Sequence, residues 1–391
     1  MRQSFLPYCR PSIDDDDIAA VVDNLKSGWL TTGPQTREFE REFEALTGVK
    51  HAVGLSSCTA GLLVGMSALG VEPGDEVVMP SLSFVAGAQC ARQLGAKPIF
   101  CDVEPDTLCI SPRTIEPVIT ARTRLIMPMH YAGRPARVAE IVGFARRRGI
   151  AVFEDAALAC GMLDQGKWAG AVSHGAAYSL YATKNITSGE GGIFVTNDDA
   201  LAQRVRVLAL HGMDADAWKR YSLGGKWRYD VVATGYKCNL SDLQASLARS
   251  QLHRLSSMQQ RRDELAGMYA DSLASIPGVE LAASSMDAGD RHSWCIFPIL
   301  VDERVAGIGR DALIEHLLAA NIGTSVHYIP THHFSAFRSN SGPRLAVTER
   351  TWQQLVSLPL YPGMSEADVR DVTRALGSIV ERAQGTAIQS T

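Results

Sequence analysis

Apolar residues recur along this chain at two different spacings, and the points where the spacing changes divide it. Between Ser12 and Gly28, residues Ile18, Val21, Val22 and Leu25 fall at helical spacing. Ser12 opens a capping-box pattern ahead of them and Gly28 supplies a stop. The spacing predicts an amphipathic helix, and the run Asp14 to Asp17 reads as carboxylates at its positive end rather than as metal ligands. From residue 51 the period shortens. Apolar runs at 51–55, 76–79, 98–102, 124–129, 150–154 and 192–196 predict strands, and helix-like stretches of about 10–15 residues separate most of them. That alternation predicts a mostly parallel α/β sheet.

After Ser241 the pattern lengthens into one extended helix reaching about Ser275, followed by isolated strands at 293–301 and 322–328 and helices at 310–320 and 365–384. The shift predicts two domains, a large one over residues 1–250 and a small one over 251–391, packed closely because no low-complexity linker joins them. The tail after Gly385 is expected to fray.

With 391 residues, at roughly 100–200 residues per domain, the length agrees with that division. Hydrophobic residues make up 46% and charged residues 20%, the balance of a globular chain. The net charge is −4, and the like-charge clusters, Asp14 to Asp17 and Arg146 to Arg148, are short and opposite in sign. Nucleic acid is therefore not an expected partner. Arg146 to Arg148 precede Gly149, where cations complement the carbonyl end of a helix. The eight cysteines, at 9, 58, 90, 101, 109, 160, 238 and 295, contain no C-x-x-C pair, which fits a reducing cytoplasm. The N-terminus has no apolar h-region, and neither a signal nor a membrane span is expected.

Three constellations could carry chemistry. Glu154 and Asp155 end the strand Ile150 to Phe153, at the carboxyl edge where open α/β sheets bind ligands, although a helix cap would use the same residues. Lys184 stands in Tyr178-Ser-Leu-Tyr-Ala-Thr-Lys184-Asn-Ile-Thr-Ser-Gly-Glu-Gly-Gly192, where a strand-like run delivers an amine into a loop of hydroxyls and glycines. Leu55-Ser-Ser-Cys-Thr-Ala-Gly61 passes from strand to helix, so free N–H groups and hydroxyls can hold an anion, without the lysine of a P-loop. Cys58 at that helix start is a candidate nucleophile without an identifiable base, the alternative being small-residue packing. His327, His332 and His333 have neither the spacing nor the nearby carboxylates of a ligand set; a hydrogen-bonded loop cluster is expected, and no metal.

The order of these signals says more than any one of them. A phosphate-holding turn, an aromatic at Phe84, a strand-end aspartate and a lysine in a glycine-rich loop form the layout of a pyridoxal-phosphate (PLP) site. The sequence resembles the nucleotide-sugar aminotransferases of the DegT–StrS group, within the fold-type I PLP enzymes. The likeness runs from about Ser27 to Gly377 through nine ordered blocks. They are Gly28-Trp-Leu-Thr-Thr-Gly-Pro34, Ser57-Cys-Thr-Ala-Gly61, Pro73-Gly-Asp-Glu76, Pro80-Ser-Leu-Ser-Phe84, Glu154-Asp155, the Lys184 loop, Gly235-Tyr-Lys-Cys-Asn-Leu-Ser-Asp-Leu-Gln244, Gly323-Thr-Ser-Val-His-Tyr328 and Ser357-Leu-Pro-Leu-Tyr-Pro362.

The resemblance implies a large, mostly parallel seven-stranded sheet domain with a smaller C-terminal α+β domain. It also implies roles. Lys184 would hold PLP covalently and move the proton between the substrate Cα and the cofactor C4′. Asp155 would pair with the pyridine nitrogen, and Phe84 would stack on the ring. The backbone amides of Cys58 and Thr59, with Ser179, would hold the phosphate, and Asn239 would reach it from the other subunit of a homodimer. Thr32, Lys237, His327 and Tyr328 are the implied substrate contacts. The chain departs from the family pattern at Leu158, where Gln or His is usual and could hydrogen-bond the cofactor, and at Leu180 and Cys238, where packing alone changes. The implied activity is amination of a 4-keto-6-deoxy nucleotide sugar with L-glutamate as donor. The alternatives are C3 amination, a cyclitol ketone, or a non-catalytic PLP-fold regulator, against which Lys184 and Asp155 count.

Overall fold

The computed structural model describes residues 2–214, 229–283, 285–338 and 344–388. Among these residues seven strands form the main sheet: β1 (His51–Leu55), β2 (Glu76–Pro80), β3 (Lys97–Cys101), β4 (Thr123–Ile126), β5 (Ala151–Ala156), β6 (Gly175–Ser179) and β7 (Gly192–Thr196). Their order is β1-β7-β6-β5-β4-β2-β3. The pairs β2–β3, β2–β4, β4–β5 and β5–β6 are parallel, whereas β7 runs antiparallel to both neighbours. No helix lies between β6 and β7, so the chain has no crossover with which to return parallel.

Strands β2, β6 and β7 are buried along their whole length, because helices cover both faces of the sheet. One face meets Cys58–Ala68, Ala86–Gln93 and Asp199–Ala209 around Phe100, Phe153 and Phe194. The other meets Pro34–Thr47 and Asp242–His253 at the β1 end, and Val138–Arg146 toward β4. A Cβ on Gly65 would stand 2.5 Å from the Phe153 ring, so glycine lets the helix Cys58–Ala68 lie directly on the sheet.

A second, antiparallel sheet is built from β8 (Val279–Leu281), β9 (Phe297–Val301) and β10 (Leu355–Leu358), in the order β10-β9-β8. Helices Leu255–Leu273, Arg310–Ala319 and Glu366–Ile388 pack on it around Tyr269, Phe297 and Leu376. Leu6 joins this second core and bridges Ile322. We propose the division near residue 250 on this packing, with the first residues of the chain folded back onto the second unit. Among the described residues no helix is long and apolar enough to cross a membrane.

Several elements differ from their expected form. The first helix is Asp15–Ser27, capped by Asp14 in a box with Asp17 rather than by Ser12. Its apolar positions Ile18, Val22 and Leu25 are exposed, and what it buries is Asp17 and Asn24. A polar anchor seats it: Asp17 is ion-paired with Arg254 at 2.5 Å and accepts from Gln251 Nε2 at 2.5 Å. The extended helix after Ser241 is two helices, Asp242–His253 and Leu255–Leu273, broken at Arg254 (φ −99°, ψ 0°), whose side chain reaches Asp14 and Asp17. Residues 322–328 make single bridges, Ile322 to Leu6 and Ser325 to Ser357, instead of a strand. In 293–301 only Phe297–Val301 is regular, since the Ser293 N–H turns aside to the Gly133 carbonyl at 2.9 Å. The last helix spans Glu366–Ile388, and residues 389–391 of the tail expected to fray lie outside the described residues.

Candidate active site

The carboxyl ends of β2, β5 and β6 and the turn after β1 meet at one edge of the main sheet. Because side chains alternate along a strand, Glu154 and Asp155 on β5 point to opposite faces. Glu154 accepts from His130 Nε2 and from the Gly170 N–H, both at 2.8 Å, and from the Ser173 hydroxyl. It is a buried structural anchor. Asp155 is 4% exposed, and its Oδ1 accepts the Ala157 N–H at 3.0 Å. Burial pushes this carboxyl above its ordinary pKa, while the Ala157 bond, Lys184 and His130 pull it back.

Lys184 sits in a loop pinned by backbone bonds. The Lys184 N–H donates to the Tyr181 carbonyl and the Ser188 N–H to the Leu180 carbonyl, both at 2.9 Å. Asn185 Nδ2 donates to the Ser293 carbonyl at 2.6 Å and the Thr187 hydroxyl to the Leu180 carbonyl at 3.0 Å. The Lys184 ammonium is half-buried and has no hydrogen bond or ion pair among the described residues. Its charge bears on Asp155, Cys58, Cys9 and His327.

The anion turn is assembled by strand register. Gly192, the first residue of β7, lies opposite Leu55 on one side and Ser179 on the other. The turn after Leu55 and the end of β6 are therefore neighbours. A Cβ on Gly192 would stand 2.4 Å from the Ser57 carbonyl carbon and 2.5 Å from the Cys58 nitrogen, so only glycine permits this approach. Ser57 caps the helix Cys58–Ala68 by accepting the Ala60 N–H at 3.0 Å. The N–H groups of Cys58 and Thr59 have no acceptor among the described residues. Ser179 Oγ accepts the Tyr181 N–H at 3.2 Å, which leaves its proton to donate. Two backbone donors at a helix start beside a free hydroxyl suit a phosphate. The Cys58 thiol instead points away, into β6, donating to the Ala177 carbonyl at 3.4 Å. Burial, then Asp155, drive its pKa far up, so its candidacy as a nucleophile gives way to the packing reading.

Phe84 is 57% exposed, an aromatic ring held open toward the cleft with its centroid 6.0 Å from that of Tyr328. Its loop is fastened by Thr331, whose N–H donates to the Ser81 carbonyl at 2.8 Å and whose hydroxyl donates to the Ser83 carbonyl at 3.2 Å. His327 Nδ1 bonds Ser357 Oγ at 2.8 Å, its carbonyl accepts the Tyr131 hydroxyl at 2.6 Å, and its ring lies 5.2 Å from that of Tyr8. Burial, then the nearby Lys184 charge, push its pKa down to about 4, so His327 presents a neutral imidazole rather than a cation.

Thr32, Lys237 and Asn239 form a separate group at the outer edge of β1, where Asn239 bridges Leu55. Asn239 Nδ2 donates to Thr32 Oγ1 at 2.6 Å and its Oδ1 accepts from Lys237 Nζ, while the Thr32 hydroxyl donates to the Leu240 carbonyl. Among the described residues none of the three has a hydrogen bond or ion pair with Asp155, Lys184 or Tyr328. Leu158 is buried with Ala282, Cys295 and Ile296, and its carbonyl accepts the Ser293 hydroxyl at 2.6 Å. His332 and His333 turn away from His327 toward Glu349.

The structure adds residues that the sequence reading missed. Tyr8 and Cys9 come from the N-terminal segment, with Cys9 Sγ donating to the Thr183 carbonyl at 3.6 Å beside Lys184. Tyr131 and Ser357 fix His327 from either side. None lies in a periodic segment beside the other site residues, and only the Ser357 block carried a signal.

A buried carboxylate with one backbone donor, an amine without a partner, two free helix-start N–H groups and an exposed aromatic fit PLP. Comparison with known proteins agrees. The model of the DegT/DnrJ/EryC1/StrS aminotransferase family matches residues 11–377. The spore coat polysaccharide biosynthesis protein SpsC of Bacillus subtilis is 42% identical over 386 residues, 98% of this chain and 99% of that protein. The putative sugar aminotransferase Spr1654 of Streptococcus pneumoniae, in its PMP form, superposes with a TM-score of 0.89 at 28% identity, covering 97% of this chain and all (100%) of that one. DesI, solved in the presence of its TDP-sugar product, gives a TM-score of 0.88 at 30% identity, covering 100% of this chain and 97% of that one. With the match running almost from end to end, this chain belongs to the DegT/DnrJ/EryC1/StrS family as a PLP-dependent sugar aminotransferase of fold-type I.

Proposed function

We propose that the enzyme converts a 4-keto-6-deoxy nucleotide sugar into the 4-amino sugar, with L-glutamate as amino donor, working as a cytoplasmic homodimer. The observation that supports the chemistry is the Lys184 side chain, which has no hydrogen bond or ion pair among the described residues and whose charge bears on Asp155 and Cys58. The C4 position rests on the likeness of residues 235–244 and 323–328 to the C4-acting branch of the family. The nucleotide rests on that likeness and on DesI, seen with a TDP-sugar product.

Bound PLP supplies the electron sink for the carbon that loses its proton. Asp155 holds a proton on the ring nitrogen: paired with that cation, the carboxyl regains the charged form that burial alone disfavours. Lys184 carries the proton between the substrate Cα and the cofactor C4′. The amides of Cys58 and Thr59 and the hydroxyl of Ser179 hold the phosphate, and Phe84 covers a ring face. Asn239 of each subunit serves the phosphate in its neighbour's site. Thr32, Lys237, His327 and Tyr328 contact substrate; Lys237 supplies charge, and His327, being neutral, supplies a hydrogen bond.

The test is incubation with glutamate and a panel of UDP-, GDP- and dTDP-linked 4-keto-6-deoxy sugars, with products identified by mass and NMR. Amination at C4 is expected. Amination at C3, or turnover only with cyclitol ketones, moves the assignment while leaving the PLP chemistry standing.

A further inference from the structure

Behind the loop that carries Phe84, three side chains from distant parts of the chain converge. His332 Nε2 lies 2.7 Å and His333 Nε2 2.8 Å from the same oxygen, Glu349 Oε1. The histidines belong to the turn Thr331–His333 and the glutamate to the helix Ala346–Gln354. All three are half-buried, and their donor atoms lie within 4.8 Å of one another. We propose that this cluster is a structural site for a zinc-like divalent transition ion, held by His332, His333 and Glu349 with water as fourth ligand.

The donor set selects the ion. Two imidazoles and one carboxylate suit zinc and its neighbours, not the all-oxygen preference of magnesium or calcium. Bonds of about 2.0–2.1 Å at tetrahedral angles separate ligand atoms by roughly 3.3 Å. The two histidine–glutamate distances therefore have to open by about half an ångström, and the Glu349 side chain, 36% exposed, is free to withdraw that far. Each imidazole must present a bare Nε2, which moves its proton to Nδ1. For His332 that proton has an acceptor in place, since Nδ1 lies 2.6 Å from Ser81 Oγ. A ligand histidine whose second nitrogen is held by a fixed acceptor is the usual outer-shell arrangement of metal sites. The His333 ring is braced edge-on against Trp352, with centroids 4.7 Å apart. An ion here ties the turn Thr331–His333 to the helix Ala346–Gln354 and, through Ser81 and Thr331, steadies the loop that presents Phe84.

Equilibrium dialysis of the tag-free holoenzyme against micromolar Zn²⁺, with Co²⁺ as a spectroscopic substitute, tests the site. One equivalent per chain is expected, with a tetrahedral Co²⁺ spectrum. His333→Ala and Glu349→Gln should each weaken binding at least tenfold, and Ser81→Ala by about 10- to 100-fold as the loss of an outer-shell partner. Far-UV circular dichroism and the visible cofactor band show that each variant is folded. Absence of stoichiometric binding overturns the proposal, as does full binding retained by either His333→Ala or Glu349→Gln.

Discussion

Glu154 and Asp155 are adjacent on β5 and do opposite work. Glu154 is saturated by His130, Gly170 and Ser173, while Asp155 takes a single backbone N–H, from Ala157, and faces the cleft. The two carboxylates therefore fail differently. Asp155→Asn should retain cofactor and lose turnover by about 10²-fold or more, as when one preorganised electrostatic partner is removed. Glu154→Gln should keep the chemistry and lower stability by about 1–3 kcal/mol, the cost of disturbing a buried acceptor. Steady-state kinetics beside urea denaturation separates the two; equal kinetic losses would mean that Asp155 is only a cap.

Gly192 sits against the turn after β1. Gly192→Ala puts a methyl 2.4–2.5 Å from Ser57 and Cys58, which displaces the turn and its two free N–H groups. PLP affinity should fall tenfold or more, on the order of the 1.4 kcal/mol or greater carried by charge-assisted bonds. Titration of the apoenzyme with PLP, followed by the visible band, measures it.

His327 makes stability depend on pH. Its pKa is about 4 in the folded protein against about 6.5 in an unfolded chain, so the unfolded state binds more protons between those values. Stability is full above about pH 6.5 and falls as the pH drops toward 4. Buried His292, pushed to about 3, adds to the same loss and extends it lower. In His327→Asn the His327 share of the slope disappears, so the stability gap between wild type and variant should narrow steadily from pH 7 to pH 4. Urea midpoints across that range check the sign, and a gap that widens on acidification contradicts it.

Shared sites predict complementation. Asn239 bridges Leu55 at the outer edge of β1, and its side chain is bonded to Thr32 and Lys237 rather than to the Lys184 loop of its own chain. Mixing inactive Lys184→Ala with a severely impaired Asn239→Asp chain should recover activity, because one site of each mixed dimer receives both intact residues. Recovery of none, with subunit exchange demonstrated by mass, argues for sites built within one chain.

What the sequence reveals about this enzyme is what is local in it. That Asp155, Lys184 and the Ser57–Thr59 turn stand at or shortly after strand ends was legible because the strand period is visible. Tyr8 and Tyr131 were not, since only the fold brings them to His327 across gaps of hundreds of residues. The first helix misled for a related reason: its apolar stripe is exposed, and a buried Asp17 paired with Arg254 fixes it instead, a contact that periodicity does not encode. The strand expected at 322–328 is likewise a pair of single bridges to partners at residues 6 and 357. Glu349 completes the histidine cluster from a helix that carries no signal linking it to residues 332 and 333.

The account stands or falls on Lys184. Reduction of the purified, PLP-loaded protein with borohydride, followed by peptide mapping, should find the cofactor mass fixed on Lys184, with the yellow colour lost. Lys184→Ala should show neither the visible band nor the label. Labelling of a different lysine, or a wild-type protein that binds no PLP at saturating concentration, would contradict it.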